Sequence, residues 1–289
     1  MHKPSLLLLG YGQLNRALAE HLSLDYDITA VSRSPQTHTA IWHVAADLSQ
    51  RYPASLSGAH FEQVVFCLSP ADYSETAYAK IYGDALATVL MGLTPTPPKR
   101  FYLVSSTSVY RQNDDEWIDE SSPALGNGFA GQQLLKAEKN LDAAPFPGTV
   151  IRFSGIYGGE RTRLIRQTQK GDFDAEGPTG YSNRIHEEDA VGIMAHLIRR
   201  QTRGQPLEKC YLASDNEPTP LHEVMKWLAT QLGTEAKGRH SEVGEARRRA
   251  GSKRCSNRRI LESGYCFRYP TFREGYSEML TRLGLRTLP

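Results

Sequence analysis

Gly10-Tyr11-Gly12-Gln13-Leu14 interrupts an apolar run, Ser5 to Leu9, and leucines then recur at positions 14, 18 and 22. An apolar strand, a glycine turn and a helix in that order let the helix N-terminus face a pyrophosphate. Gly10 would make the tight turn, and Gly12 would let the backbone approach the phosphates. The third glycine of such a fingerprint allows close helix–strand packing, and its place is taken here by Asn15. The chemistry expected of Gly10, Tyr11, Gly12, Gln13 and Leu14 is therefore dinucleotide binding. The end of the second strand selects the dinucleotide, because an acidic residue there bonds the ribose hydroxyls and repels a 2′-phosphate. This chain has Ser32-Arg33-Ser34 instead, a guanidinium fork between two hydroxyls. NADP is expected over NAD, with a solvated surface arginine as the plain alternative.

A second group of residues could carry polar chemistry. Ser105-Ser106-Thr107-Ser108 reads either as a catalytic or substrate-contacting cluster or as a turn whose hydroxyls bond local backbone. Tyr110 and Tyr157 are phenols that could move a proton, with packing as the plainer reading. An unperturbed imidazole titrates near neutral pH, so His186 could act as a base; the plainer reading bonds it to Asp189 or to backbone. Arg161 and Arg163, just past Tyr157-Gly158-Gly159, could grip an anion or lie in solvent. Arg247-Arg248-Arg249 with Lys253-Arg254 reads as a solvated helix face or a mobile loop. Asp114-Asp115-Glu116 reads as exposed loop, its adjacent carboxylates facing different ways.

These residues need elements to position them. Asp27–Val31, Gln63–Leu68, Phe101–Val104 and Thr149–Phe153 read as further strands, and helices are predicted over about 75–90 and 132–141. Strands alternating with helices are the pattern of a doubly wound parallel sheet. Past residue 155 the apolar runs shorten; 188–199 and 221–232 read as helical and 209–213 as a strand. The α/β pattern thus changes near residue 155. The 289 residues carry a formal net charge of +2, too near zero to argue for nucleic acid or membrane as a bulk partner. No run approaches the roughly 18 apolar residues of a membrane span. The four cysteines show no Cys-x-x-Cys spacing, and Cys67 lies in an apolar run. A reducing cytoplasm, with Cys67 a buried thiol, fits better than a disulfide framework or a zinc site.

Several segments in order resemble the extended, epimerase/dehydratase-like short-chain dehydrogenase/reductases. They are Gly10-Tyr11-Gly12, Ala46-Asp47-Leu48, Phe101 to Tyr110, Asp119-Glu120-Ser121-Ser122-Pro123, Val150 to Gly158, Asn183-Arg184-Ile185-His186 with Asp189, Tyr211 to Asp215, and Tyr269-Pro270. The resemblance implies a Rossmann dinucleotide domain of six or seven parallel strands over 1–155. It adds a smaller C-terminal α/β domain over 156–289 that is mostly substrate-binding, with a segment at about 190–215 returning to the first sheet. A helix-packed homodimer is common in the family, and the sequence leaves the oligomeric state open. It puts Asp47 and Leu48 near the adenine, and Leu68 and Ser69 beside the cofactor. Ser106 falls at the catalytic Ser/Thr position, with Phe153, Ser154 and Ile156 at the nicotinamide end. Thr107, Tyr110, Ser154, Arg161 and His186 are the expected substrate contacts.

One departure stands against these matches. The family's acid/base is a Tyr four residues before a Lys, which itself precedes a Glu by four; anchored on Glu138, those positions hold Ala130 and Leu134. None of the 14 tyrosines has a Lys four residues later. Two readings follow. One is an NADP-dependent oxidoreductase or epimerase-like enzyme acting on a small hydroxyl or carbonyl substrate, a nucleotide sugar among the candidates, with an atypical proton donor. The other is a cofactor-binding sensor or scaffold without turnover.

Overall fold

The structure is a computed structural model, and it describes residues 3–36, 41–174, 180–237 and 251–285. Its largest element is a seven-stranded parallel sheet in the order β3-β2-β1-β4-β5-β7-β11. The strands are β1 (Ser5–Leu9), β2 (Asp27–Ser32), β3 (Trp42–Ala45), β4 (Gln63–Phe66), β5 (Arg100–Ser106), β7 (Gly148–Phe153) and β11 (Cys210–Ala213). Leu6 to Leu9 are all fully buried, as are Val64, Val65 and Phe66. Burial on both faces is why these strands read as continuous apolar runs and not as alternating ones. Leu9 pairs with Val31 on one side and Phe66 on the other. The strand order reverses at β1 and β4, and ligands of such sheets bind outside the carboxyl ends of the strands at that point.

The chain divides into two compact units. The first comprises Met1–Tyr110, Pro123–Arg152 and Val191–Tyr211. It contains α1 (Gln13–Leu22), α4 (Gly128–Asp142) and a long helical stretch of α2 (Glu75–Tyr78), a π-helical segment (Ala79–Ala85) and α3 (Leu86–Leu93). Most of α6 (Glu187–Thr202) belongs here too. The second unit comprises Arg111–Ser122, Phe153–Ala190 and Leu212–Pro289. It is built from short strand pairs: β8 (Gly155–Tyr157) with β10 (Arg184–His186), β9 (Tyr181–Ser182) with β12 (Thr219–Pro220), and β6 (Trp117–Ile118) with β13 (Arg254–Cys255). Its helices are α5 (Arg163–Gln169), α7 (Leu221–Leu232), α8 (Arg258–Glu262) and α9 (Phe272–Arg282). Tyr157, Ile165, Val224, Leu228, Phe272 and Tyr276 form its main core.

Several sequence expectations change. The helix predicted from residue 132 begins at Gly128, and the one predicted over 75–90 carries a π-helical turn. The edge strand β3 and the helix α5 were not predicted. Cys67 is only partly buried. Lys253 and Arg254 are not a solvated face: Lys253 is buried, which pulls its ammonium below the usual lysine range, and Arg254 lies 5.2 Å over both the Trp117 and Tyr181 rings. Buried apolar and ring surface holds these two cations where charge alone would place them in water. Arg247, Arg248 and Arg249 lie outside the described residues. Among the described residues, no helix is long and apolar enough to cross a membrane, and no cluster of His, Cys, Asp and Glu could hold a metal ion.

Candidate functional site

In the first unit the glycine turn sits at the carboxyl end of β1. Gly10 has φ +88°, and a Cβ there would come within 2.5 Å of the Cys67 carbonyl oxygen, so only glycine fits. Leu68 packs against the same point, 3.1 Å from where that Cβ would lie. A Cβ on Gly12 would meet nothing within 4 Å. Gly12 caps α1 with no side-chain hydrogen bond, and the first turn of α1 holds no acidic residue. The start of α1 thus carries neither a side-chain cap nor an acidic residue, which fits a dinucleotide diphosphate. Gln13 is exposed, Leu14 is half-buried and Tyr11 is buried.

Asn15 takes over part of the missing glycine's task. It is buried, and its Nδ2 donates to the Gly10 carbonyl at 2.6 Å and to the Leu9 carbonyl at 3.4 Å. The turn is therefore tied by a side chain where the fingerprint uses close packing. Past β2, Ser32 is half-buried while Arg33 and Ser34 are exposed. Asp47 accepts from the Ser49 hydroxyl and amide, which hold its carboxyl below the usual range, and Leu48 is buried. Ser69 is exposed.

At the end of β5, Ser106 is half-buried, and its Oγ accepts from the Ser108 amide at 3.2 Å, capping a short 3-10 turn. Its own proton remains a donor, and Thr107 beside it is half-buried. Tyr110 is fully buried and its hydroxyl accepts from Arg152 Nη1 at 2.7 Å. Arg152 also grips Glu138 through Nε and Nη2, at 3.1 and 2.6 Å, and Ser105 donates to Glu138 at 2.7 Å. The phenol expected at the substrate is thus committed to a buried network. Ala130 and Leu134 are also buried on α4. The rings of Tyr73 and Tyr78 lie 4.8 and 5.6 Å from that of Phe129, the residue before Ala130. Neither tyrosine was singled out by the sequence.

The second unit carries a cleft of about 840 Å³. Arg161, Arg163, Arg166, Lys170 and Arg184 line it, against the carboxylates of Glu160 and Asp172. Arg163, Arg166 and Lys170 recur at helical spacing along α5 and its C-cap, a stripe legible in the sequence once a helix is placed there. Arg161 donates to Glu187 at 2.6 Å. Arg184 is 5% exposed; its Nη2 donates to Ser182 Oγ, and its Nη1 has no hydrogen-bond partner. Asp215, buried beside it, has its carboxyl pushed up to about 7 by burial, with Arg184 opposing.

His186 is 1% exposed. Its Nδ1 accepts from the Glu188 amide, so the ring proton sits on Nε2, which has no hydrogen-bond partner and lies 3.7 Å from Glu278. Burial, with Arg282 and Arg268 nearby, lowers the imidazole to about 4. Of the two partners read from sequence for His186, backbone is the one observed; Asp189 instead accepts from the Tyr265 hydroxyl and the amides of Arg268 and Tyr269. Burial drives the Tyr157 phenol far above its usual value. Phe153 and Ser154 are buried, and the Ser154 hydroxyl has no partner.

No family model matches the chain. A solved structure assigned as an NAD-dependent epimerase/dehydratase from Methylobacillus flagellatus superposes with a TM-score of 0.80 at 31% identity, over 98% of this chain and 100% of that one. The human epimerase family protein SDR39U1 is 25% identical over 207 residues, 65% of this chain and 68% of its own length. MoeE5, solved with UDP-glucose and NAD, shares the fold with a TM-score of 0.77 at 21% identity, over 97% and 99% of the two chains. The glycine turn at the strand-order reversal and the full-length match to the Methylobacillus structure lead to one assignment: the chain belongs to the NAD-dependent epimerase/dehydratase family, as an atypical short-chain dehydrogenase/reductase.

Proposed function

We propose that this protein is an NADP(H)-dependent enzyme of the epimerase/dehydratase type whose substrate carries a phosphate or diphosphate, a nucleotide sugar being the class that fits. The observation that carries the substrate class is the buried Arg184, whose Nη1 is left without a partner at a cleft lined by four further cations. A buried, unpaired donor on a charged group is costly, and an anion in the cleft would satisfy it. A relative of the same fold was solved with UDP-glucose, and SDR39U1 was solved with NADPH. The first unit would hold the dinucleotide along Gly10, Gly12 and the α1 amides, with Arg33 at the 2′-phosphate. The bound nicotinamide would supply hydride transfer at its C4. Ser106 would donate its free proton to the substrate oxygen. With His186 lowered, Tyr110 committed to Arg152, and both Tyr157 and Tyr78 raised by burial, the exposed phenol of Tyr73 is the candidate to move a proton.

The test is a panel of nucleotide sugars with NADPH and NADP, followed by product analysis. Ser106→Ala should abolish turnover while leaving NADPH binding intact, and Arg184→Met should raise KM for the sugar nucleotide at least tenfold with NADPH affinity unchanged. Absence of both turnover and sugar-nucleotide binding across the panel would remove the enzyme reading. It would leave the second one, an NADP(H)-binding sensor, which the buried Ala130 and Leu134 at the acid/base positions favour.

A further inference from the structure

Arg16 stands where a cation is unfavourable. It lies in the first turn of α1, where the helix dipole is positive and a carboxylate would be preferred. Yet its side chain is tied down. Nε donates to the Tyr11 carbonyl at 3.1 Å, Nη2 donates to Gln36 Oε1 at 3.0 Å, and the guanidinium lies 5.7 Å over the Tyr11 ring. The remaining Nη1 has no hydrogen bond to any described residue. Two donors thus hold the group between the glycine turn and the segment after β2, and a third is left for something else.

That segment is held in its own right. The Gln36 amide donates to His43 Nδ1 at 3.3 Å, so the imidazole proton is on Nε2 and is given to Ser32 Oγ at 2.8 Å. Ser32 in turn donates to the Ser34 carbonyl at 3.0 Å. The direction of every proton in this chain is fixed by the one before it. His43 also packs on the other side of the problem, its ring 5.9 Å from that of Tyr11. The result is a closed circuit of Tyr11, Arg16, Gln36 and His43, with Ser32 joined to it through His43 and Arg33 exposed on the turn between Ser32 and Gln36. No Asp or Glu occurs in residues 32–36 to compensate the two guanidinia.

We propose that Arg16 is a specificity-determining residue for the adenosine 2′-phosphate, forming with Arg33 a two-guanidinium clamp whose geometry is set by His43. This rests on the NADP reading above. Two guanidinia, one on each side of this segment, would both gain from a dianion that accepts from them. An NAD ribose, which offers only hydroxyls there, gains little from either.

The test titrates NADPH, NADH, adenosine 2′,5′-bisphosphate and ADP into the full chain by calorimetry. Wild type is compared with Arg16→Leu, Arg16→Lys and Arg33→Ala, with circular dichroism to check folding. Arg16→Leu should weaken NADPH and the bisphosphate by about 10- to 100-fold, the worth of one charge-assisted hydrogen bond, and NADH and ADP by less than about threefold. Arg16→Lys, which keeps the charge but loses the fork, should fall between and covers the case in which Arg16→Leu does not fold. Equal losses for NADPH and NADH would overturn the proposal and leave Arg16 as a strap between Tyr11 and Gln36. If only Arg33→Ala removed the NADPH preference, the NADP reading would stand and the role of Arg16 would fall. If wild type bound NADH as tightly as NADPH, the NADP reading itself would fail.

Discussion

At the scale of single residues, Asn15 shows how a broken fingerprint still makes a working turn. A glycine at that place gives close packing; the asparagine gives two donors to the Leu9 and Gly10 carbonyls. Asn15→Ala should therefore destabilise the protein by roughly 1–3 kcal/mol, because the Gly10 carbonyl loses its side-chain donor while that of Leu9 keeps the Cys67 amide. Urea unfolding would read this as a lower midpoint at unchanged m-value. The same variant should weaken NADPH and NADH alike, because the turn faces the diphosphate that both share. A selective loss of one dinucleotide would contradict this account. Arg33 and Ser106 were legible in the sequence as candidates, since strand ends and hydroxyl clusters have recognisable neighbours. Arg16 was not, because only the folded turn shows where its guanidinium is held.

At the scale of elements, the Glu138–Arg152 pair joins α4 to β7 inside the first unit, with Ser105 of β5 and Tyr110 as further partners. Both side chains are about nine-tenths buried. Arg152→Met should cost about 3–5 kcal/mol, because it leaves the buried Glu138 carboxylate without its cation and with only the Ser105 hydroxyl of this network. Adding Glu138→Leu should recover most of that loss, since an apolar pair of similar volume avoids desolvating either charge. Thermal or urea unfolding of the two variants decides it, and a double variant no better than the single one would mean the pair itself is irreplaceable. Strands β1, β2, β4, β5 and β7 were all visible as apolar runs. Strand β3 was not, because Trp42–Ala45 lies at the sheet edge with none of its residues buried. The π-helical turn over Ala79–Ala85 has no signature in helical periodicity, which records a helix without its hydrogen-bond register.

At the scale of the whole molecule, pH should act on stability through His186. Its folded pKa of about 4 lies below the ordinary 6.5, because burial and nearby arginines disfavour the charged ring. Between those values the unfolded chain binds more protons than the folded one, so stability rises with pH. The contribution is fully present above about 6.5 and lost as pH falls through about 4, on the order of 3 kcal/mol. Melting temperatures from pH 7.5 to 4 should therefore fall more steeply in wild type than in His186→Gln. Parallel profiles would show that the imidazole is not what titrates.

The sequence by itself determined the class of fold, the glycine turn and the positions of the main strands along the chain. Each of these rests on local chain chemistry: double-sided burial writes a continuous apolar run, and a positive φ demands glycine. It also marked the absence of the Tyr and Lys pair, since a missing residue type needs no coordinates. Only the tertiary structure decided which polar groups are spent and which are free. Tyr110, Asp189 and Glu138 proved committed to buried partners, while Arg184 kept an unpaired donor at a cleft. Hydrogen-bond satisfaction joins residues far apart in the chain, as when Arg184 of β10 and Asp215 after β11 share one buried place, so no window of sequence contains it.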